Sequence, residues 1–355
     1  MANKENKLSR TKEIKIKNAS LNKAILEKDG EFYTQLNDIE NELNNYKNHL
    51  KGKVIFCNCD DPRVSNFFHY FSYNFERLQL KKLISACYKS DDVEHFTRKK
   101  SITASYLEYE GDKNRNKVPD PEEIGIKRFK GDGDFRSEES LKLLRDSDIV
   151  VTNPPFSLFR EFISVLVKNK KKFIVIGPIM QATAKEIFPL IMTNQMWLGY
   201  GFNGGNAFFK IPSPKEFADG VYDVKTGLVK FRNVTWYTNL EIPKRNQEWI
   251  LWKKFNKQEF PKYANYPAIE VTEKKHIPCD YFGQMGVPTT FLHVHNPKQF
   301  KIIGTCGTLA KPMSKIAPQG TYSPGGPRFY LKNKDLTYRR LQPRLIIQRV
   351  DNDGH

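Results

Sequence analysis

The sequence predicts an α/β fold built on a doubly wound sheet, with a smaller region after it. Three observations carry that reading. Short apolar runs rich in β-branched residues alternate with stretches of helical apolar spacing, as in βαβ units. Polar residues stand just past the ends of several of these runs: Asp60 and Asp61, Asp134, and Asn153. In an open α/β sheet such ends meet at one edge, where ligands bind. The alternation fades after about residue 245, where loops, prolines and basic residues dominate. The expected organisation is therefore a basic arm over residues 1–30, a sheet domain over 31–245 and a second, smaller domain over 246–355.

Residues 1–30 are rich in Lys, Asn and Glu, with weak helical spacing at Ile14, Ile16, Leu21, Ile25 and Leu26. They read as a mobile arm or a loose helix. An amphipathic helix is expected from Asp38 to Leu50. Lys53–Cys59 is the first strand, ended by Asp60-Asp61-Pro62. A helix follows over Arg63–Leu78, with Phe67, Phe68, Phe71, Phe75 and Leu78 at helical spacing, and then a strand over Lys82–Tyr88. Residues 89–128 are polar and read as an insertion, with a hairpin around Tyr109–Asp112. Gly131–Phe135 ends another strand region. Ser137 is placed to cap a helix that opens on Glu138 and Glu139 and runs to about Arg145.

Ile149–Val151 is a buried strand that stops at Pro154 and Pro155, which cannot donate ladder hydrogen bonds. Ser157–Leu166 is helical, so Asn153-Pro154-Pro155-Phe156 occupies a tight strand-to-helix loop. Phe173–Pro178 is a further buried strand. Ala207–Ile211 and Val234–Leu240 are expected to pair antiparallel at the sheet edge.

The net charge of +18 favours a polyanionic partner, either nucleic acid or an anionic membrane surface. More than half of it falls between Asn296 and Arg349, where eleven Lys and Arg face one acid, Asp335. Tyr322, Phe329, Tyr330 and Tyr338 are interleaved with these bases, the composition of a surface that tracks phosphates. No apolar run reaches the ~20 residues of a membrane span, and the first thirty residues contain no apolar leader core. The five cysteines form no paired C-x-x-C array, which fits reduced thiols in the cytoplasm. No metal site is expected at Cys57-x-Cys59.

The tetrapeptide Asn153-Pro154-Pro155-Phe156 has a chemical reading beside that of an ordinary proline turn. The exocyclic amine of a nucleobase is a poor nucleophile, because its lone pair is delocalised into the ring. The Asn153 amide oxygen and the Pro154 carbonyl can each accept one of its N–H bonds, which localises the lone pair. Two prolines keep both acceptors aimed. Phe156 offers a ring for a base to stack on, an interaction worth roughly 1–3 kcal/mol.

These residues resemble a family. Asn153-Pro154-Pro155-Phe156 is similar to motif IV of the amino-group DNA methyltransferases in its adenine-type form, Glu31-Phe32-Tyr33-Thr34 to motif X, and Gly133-Asp134-Phe135 to motif III. Their order, with a C-terminal recognition region last, matches the γ arrangement. More narrowly, Phe32–Gln35, Cys57–Phe68, Gly131–Ser137, Asp148–Arg160 and Met285–Leu292 resemble the EcoRI-type adenine-specific modification methylases. One departure stands out: Ser65, Asn66 and Phe67 fill positions that are glycines in most class I methyltransferases. The second strand, ending in Cys87-Tyr88-Lys89, also lacks the usual ribose-binding acid, for which Asp91, Asp92, Asp60 or Asp61 could substitute.

The resemblance implies a class I S-adenosylmethionine-dependent sheet and methylation of adenine N6 on a base flipped out of duplex DNA. It assigns catalysis to Asn153, Pro154, Pro155 and Phe156. It assigns cofactor binding to Phe32, Tyr33, Thr34, Asn58, Asp60, Asp61, Asp134 and Phe135, with no metal. Arg339, Arg340 and Arg344 are candidate DNA contacts. Double-stranded DNA is the implied partner of a monomeric, cytoplasmic, nucleoid-associated bacterial enzyme. A cognate restriction endonuclease would act on the same site without a stable complex. RNA adenine or protein glutamine methylation, and a catalytically silent nucleic-acid-binding module, stay open as alternatives.

Overall fold

A computed structural model describes residues 33–59, 65–86, 104–116, 119, 123–202, 205–210 and 221–350. The basic arm, Phe32, Asp60, Asp61 and Cys87–Asp92 lie outside the described residues. The chain divides into two units, one drawn from residues up to Ile187 and from Leu198–Leu240, the other from Phe188–Trp197 and from Glu241 onward.

The strands of the first unit are β1 (Tyr33–Thr34), β2 (Val54–Asn58), β3 (Lys82–Ala86), β4 (Ser105–Tyr109), β5 (Gly125–Arg128), β6 (Ile149–Thr152), β7 (Lys172–Pro178), β8 (Trp197–Leu198), β9 (Ala207–Lys210), β10 (Tyr222–Asp223), β11 (Leu228–Phe231) and β12 (Val234–Thr238). Trp197 of β8 belongs to the second unit. Eight of these strands form a sheet in the order β5-β4-β3-β2-β6-β7-β12-β8. β2 runs parallel to β3 on one side and to β6 on the other, and β6 runs parallel to β7. The chain thus winds outward from β2 through β3 and from β6 through β7, which sets the carboxyl ends of β2 and β6 side by side. β2 and β6 are buried along their whole length, in keeping with continuous apolar runs covered on both faces.

Two expectations are corrected. Residues 89–128 are no mere insertion: β4 and β5 pair antiparallel and extend the main sheet beside β3. Ala207–Ile211 and Val234–Leu240 do not pair with each other. β12 lies antiparallel to β7 in the main sheet, while β9 joins β1 and β11 in a separate sheet of order β1-β9-β11-β10. Burial explains the sorting. β12 is buried at every residue and suits a covered sheet, whereas β9 alternates buried and exposed and suits a sheet with one solvated face.

Both expected N-terminal helices are broken at asparagines. The first runs over Leu36–Leu43, gives way to a 3₁₀ turn at Asn44–Tyr46 and resumes over Lys47–Leu50. The second runs over Asn66–Tyr73, breaks at Asn74 and resumes over Phe75–Leu78. In each case an asparagine amide bonds back to the preceding turn: Asn45 Nδ2 donates to the Asn41 carbonyl (2.9 Å) and Asn74 Nδ2 to the Tyr70 carbonyl (2.7 Å). That local bond competes with continuation of the helix. Glu42 is fully buried on the first helix. Its carboxylate accepts from Tyr46 Oη (2.8 Å) and from the backbone N–H groups of Tyr200 (2.9 Å) and Gly201 (3.0 Å), fixing the loop that leads to β9.

The second unit contains a sheet of order β13-β14-β18-β15, from β13 (Ile269–Glu270), β14 (Met285–Pro288), β15 (Phe300–Thr305) and β18 (Arg344–Arg349), and a hairpin of β16 (Tyr330–Lys332) and β17 (Tyr338–Arg340). Its core includes Tyr263, Phe329, Leu331, Leu341 and Ile346. The Tyr263 ring crosses β14 at Gly286, where an added Cβ would fall 1.7 Å from the Tyr263 hydroxyl.

Two histidines of this unit are held neutral. Burial is the main cause for both His293 and His295, each pushed down to about 4. Lys244 and Lys274 add to the effect at His293, and Arg245 at His295. His295 Nε2–H donates to the Phe300 carbonyl at 2.9 Å. Both folded values lie below the unfolded value of about 6.5, so the unfolded state binds more protons between the two. Their contribution is fully present above pH ~6.5 and is lost as pH falls towards about 4. Thermal unfolding should therefore show a steeper acid loss in the native protein than in His293→Gln or His295→Gln. Parallel pH profiles would contradict this.

Candidate active site

The sheet places the carboxyl ends of β2 and β6 next to one another, and one hydrogen bond ties them. Thr152 Oγ1, at the last residue of β6, donates to the Asn58 carbonyl, at the last residue of β2. Past Asn58 the chain turns sharply, with Cys59 at a φ of 66°. The buried Asn58 amide supports that turn, its Oδ1 accepting from the Cys59 N–H at 2.9 Å.

Past Thr152 come Asn153, half-buried, Pro154, buried, and Pro155, exposed. The Pro155 carbonyl accepts from the Leu158 N–H (2.9 Å), starting a 3₁₀ turn over Phe156–Leu158 that feeds the helix Phe159–Lys168. Phe156 is buried. The fully buried Phe159 anchors the helix, its ring 4.9 Å from that of Tyr237 on β12. Gly177 on β7 makes room, since a Cβ there would meet the Phe159 ring at 2.2 Å. The strand-to-helix loop is thus held at both ends.

The same helix fixes the segment bearing Asp134. Phe135 packs edge-on against Phe162 at 5.2 Å. Arg136 donates from Nη1 to Glu161 (2.8 Å), and from Nε (2.9 Å) and Nη2 (2.7 Å) to the two oxygens of Asp134. The Arg136 N–H also donates to Asp134 at 2.8 Å. Asp134 first, then Glu161, raises the pKa of Arg136 above its ordinary value. Ser137 caps the next helix, accepting from the Ser140 N–H at 3.2 Å, as its position predicts.

Tyr33 and Thr34 form β1. The Thr34 carbonyl accepts from Asn66 Nδ2 at 2.7 Å, which ties β1 to the start of the helix after β2. Ser65, fully buried, caps that helix by accepting from the N–H groups of Phe67 (3.2 Å) and Phe68 (3.4 Å). Ser65 and Asn66, which occupy the usual glycine positions, therefore work as a cap and a tie. The expected helix opened at Arg63 and missed this cap, although Ser before a phenylalanine-rich helix is an N-cap pattern. The roles of Asn66, Thr152, Arg136 and Glu161 depend on partners far away in sequence, and residue spacing does not disclose them.

The structure thus ties Thr34 to Asn66 on the helix after β2, Asn58 to Thr152 at the ends of β2 and β6, and Asp134 and Phe135 to the helix Phe159–Lys168 that follows Asn153–Phe156. The C-terminal arginines are in different settings. Arg339 is exposed on β17. Arg340 donates from Nη2 to the Gly326 carbonyl at 3.1 Å. Arg344, a candidate DNA contact, is partly buried. It forms a fork with the buried Glu270, from Nη2 at 2.7 Å and Nε at 3.1 Å, while Nη1 donates to the Pro343 carbonyl at 3.4 Å.

Known proteins resemble the chain over most of its length. The family model described as adenine-specific methyltransferase EcoRI matches residues 20–345. The type II methyltransferase M.EcoRI of Escherichia coli is 46% identical over 291 residues, covering 81% of this chain and 89% of that protein. M.MpnI of Mycoplasma pneumoniae is 38% identical over 295 residues (79% and 84%), and M.MgeORF184P of Mycoplasma genitalium 37% over 292 residues (79% and 84%). No solved structure is significantly similar to the chain. With nearly its whole length matched, the chain belongs to the EcoRI family of adenine-specific methyltransferases and is a DNA adenine methyltransferase of the restriction-modification type.

Proposed function

We propose that the chain methylates the exocyclic N6 amine of an adenine flipped out of duplex DNA, using S-adenosylmethionine on a class I, doubly wound sheet. The observation that carries the proposal is the meeting of the β2 and β6 carboxyl ends, where Asn153 follows Thr152 and the chain winding reverses. Asn153 Oδ1 and the Pro154 carbonyl accept the two N–H bonds of the amine and localise its lone pair. Pro155 stiffens the loop, and Phe156 stacks on the base.

The residues present fit the cofactor. Thr34 is 3% exposed, and its hydroxyl has no hydrogen-bond partner among the described residues, as suits a site for a polar ligand. In the proposal Phe32, Tyr33 and Thr34 cover the methionine end, Asn58 with Asp60 or Asp61 lines the end of β2, and Asp134 and Phe135 hold the adenine end. When bound, the cofactor supplies an electrophilic methyl group on a sulfonium, so the chemistry calls for no metal.

The second unit is the proposed recognition region, and the arm over residues 1–30 a further grip on phosphates. The enzyme would act as a monomer on the nucleoid, in the bacterial cytoplasm, and a cognate endonuclease would cut the same site when unmethylated. The family description, adenine-specific methyltransferase, disfavours the silent-module and protein-glutamine alternatives. Among the described residues no helix is long and apolar enough to cross a membrane.

Deleting residues 296–349 cannot test the basic surface, because β15 and β18 are paired strands of the second unit's sheet. Substitution of exposed bases can. Lys332, Lys334 and Arg339 all lie exposed on or beside the β16–β17 hairpin. Changing all three to Gln should weaken DNA binding and flatten the plot of log affinity against log salt, by about 0.9 for each phosphate no longer neutralised. An unchanged slope would place the DNA elsewhere.

A further inference from the structure

The segment Trp249–Phe255 of the second unit is hydrogen-bonded to its neighbours near both ends. The Trp249 N–H donates to Gln299 Oε1 (3.0 Å), and Gln299 Nε2 donates to the Trp249 carbonyl (2.6 Å). Further on, the Cys279 N–H donates to the Lys253 carbonyl (2.8 Å) and the Phe255 N–H to Asp280 Oδ1 (2.7 Å). Along this rib side chains alternate. Trp249, Leu251, Lys253 and Phe255 are partly buried, whereas Ile250, Trp252 and Lys254 are exposed. Ile250 is 84% exposed and Trp252 63% exposed. Two large apolar side chains exposed two positions apart, on a segment tied near both ends, mark a contact surface.

Its surroundings indicate the partner. The Trp252 ring meets His276 edge-on at 5.9 Å, and His276 adjoins Lys274 and Lys275. Residues 244–276 hold eight Lys and Arg against four acids. Glu259 pairs with Lys253 (2.9 Å) and Glu273 with Lys275 (2.9 Å), which uses two of those bases, while Glu270 is paired with Arg344 from outside the stretch (2.7 Å). An aromatic and an aliphatic side chain within a basic frame suit DNA, where they can pack on base faces or wedge at a base step while lysines meet the phosphates.

We propose that Ile250 and Trp252 form an apolar rib that packs against DNA bases, with Lys254 and its basic neighbours on the flanking phosphates. This rests on the chain's action on duplex DNA. Acrylamide quenching of tryptophan fluorescence tests it on the unaltered, full-length protein. Trp236 is buried, and Trp197 and Trp249 are partly buried, so Trp252 is the most exposed of the four tryptophans. DNA carrying the methylation site should shield an accessible component of the emission, and Trp252→Phe should remove that component. Trp252→Ala should raise the Kd for DNA about tenfold and leave the salt slope unchanged, because the indole it removes carries no charge. A Trp252 that stays equally quenchable in a DNA complex confirmed by anisotropy overturns the proposal and leaves the DNA reading intact. Shielding that grows with protein concentration without DNA also overturns it, in favour of self-association. Absence of any DNA binding by the unaltered protein would instead strike at the DNA reading itself.

Discussion

Asn153→Ala slows methyl transfer to DNA by about 10²–10³-fold, while the affinities for S-adenosylmethionine and for DNA stay close to those of the native protein. The expectation follows from position. Asn153 is the first residue past β6, beside the end of β2, and two prolines and the helix Phe159–Lys168 hold it in place. Its amide is assigned to the amine in the transition state, where an acceptor localises the lone pair that attacks the methyl group. Removing one preorganised hydrogen-bonding group of this kind costs about 10²–10³ in rate, and the uncatalysed amine is too poor a nucleophile to compensate. Single-turnover rates with cofactor and DNA both saturating measure the effect. A loss confined to KM would give Asn153 a binding role in place of a catalytic one.

Arg344→Ala unfolds the second unit at much milder denaturant than the native protein. Glu270 is 3% exposed, and its carboxylate accepts the Arg344 fork and the Tyr263 hydroxyl. Loss of the guanidinium strands a buried charge, a change that typically costs about 3–5 kcal/mol. Chemical denaturation of Arg344→Ala and of the double variant Arg344→Met, Glu270→Leu separates the causes. The double variant should recover much of the loss, because replacing both partners with apolar groups leaves no charge behind. Equal losses in the two variants would show that Arg344 acts through packing alone.

Much of the sheet was legible because its strands are short apolar runs and because proline, asparagine and serine mark their ends. β2, β6 and β7 lie where their residue patterns put them. The misreadings have physical causes. β9 and β12 are both apolar, and their composition does not reveal that one is covered on both faces and the other on one. Asn45 and Asn74 interrupt helices whose apolar spacing runs on. Asp134 and Asn153 stand out in the sequence as polar groups beyond apolar runs, whereas Arg136 and Asn66 gain their partners Glu161 and Thr34 only from the fold. The pairing of Arg344 was hidden for a related reason: its partner Glu270 is a buried carboxylate 74 positions away.

The most direct measurement is detection of methylated adenine by sequencing DNA from cells that express the native chain or Asn153→Ala. The native chain should leave N6-methyladenine at every copy of one short sequence, and Asn153→Ala should leave almost all copies unmarked. Methylation at cytosine, methylation without a defined site, or equal marking by the two proteins would contradict the assignment of Asn153-Pro154-Pro155-Phe156 to the amine of a flipped adenine.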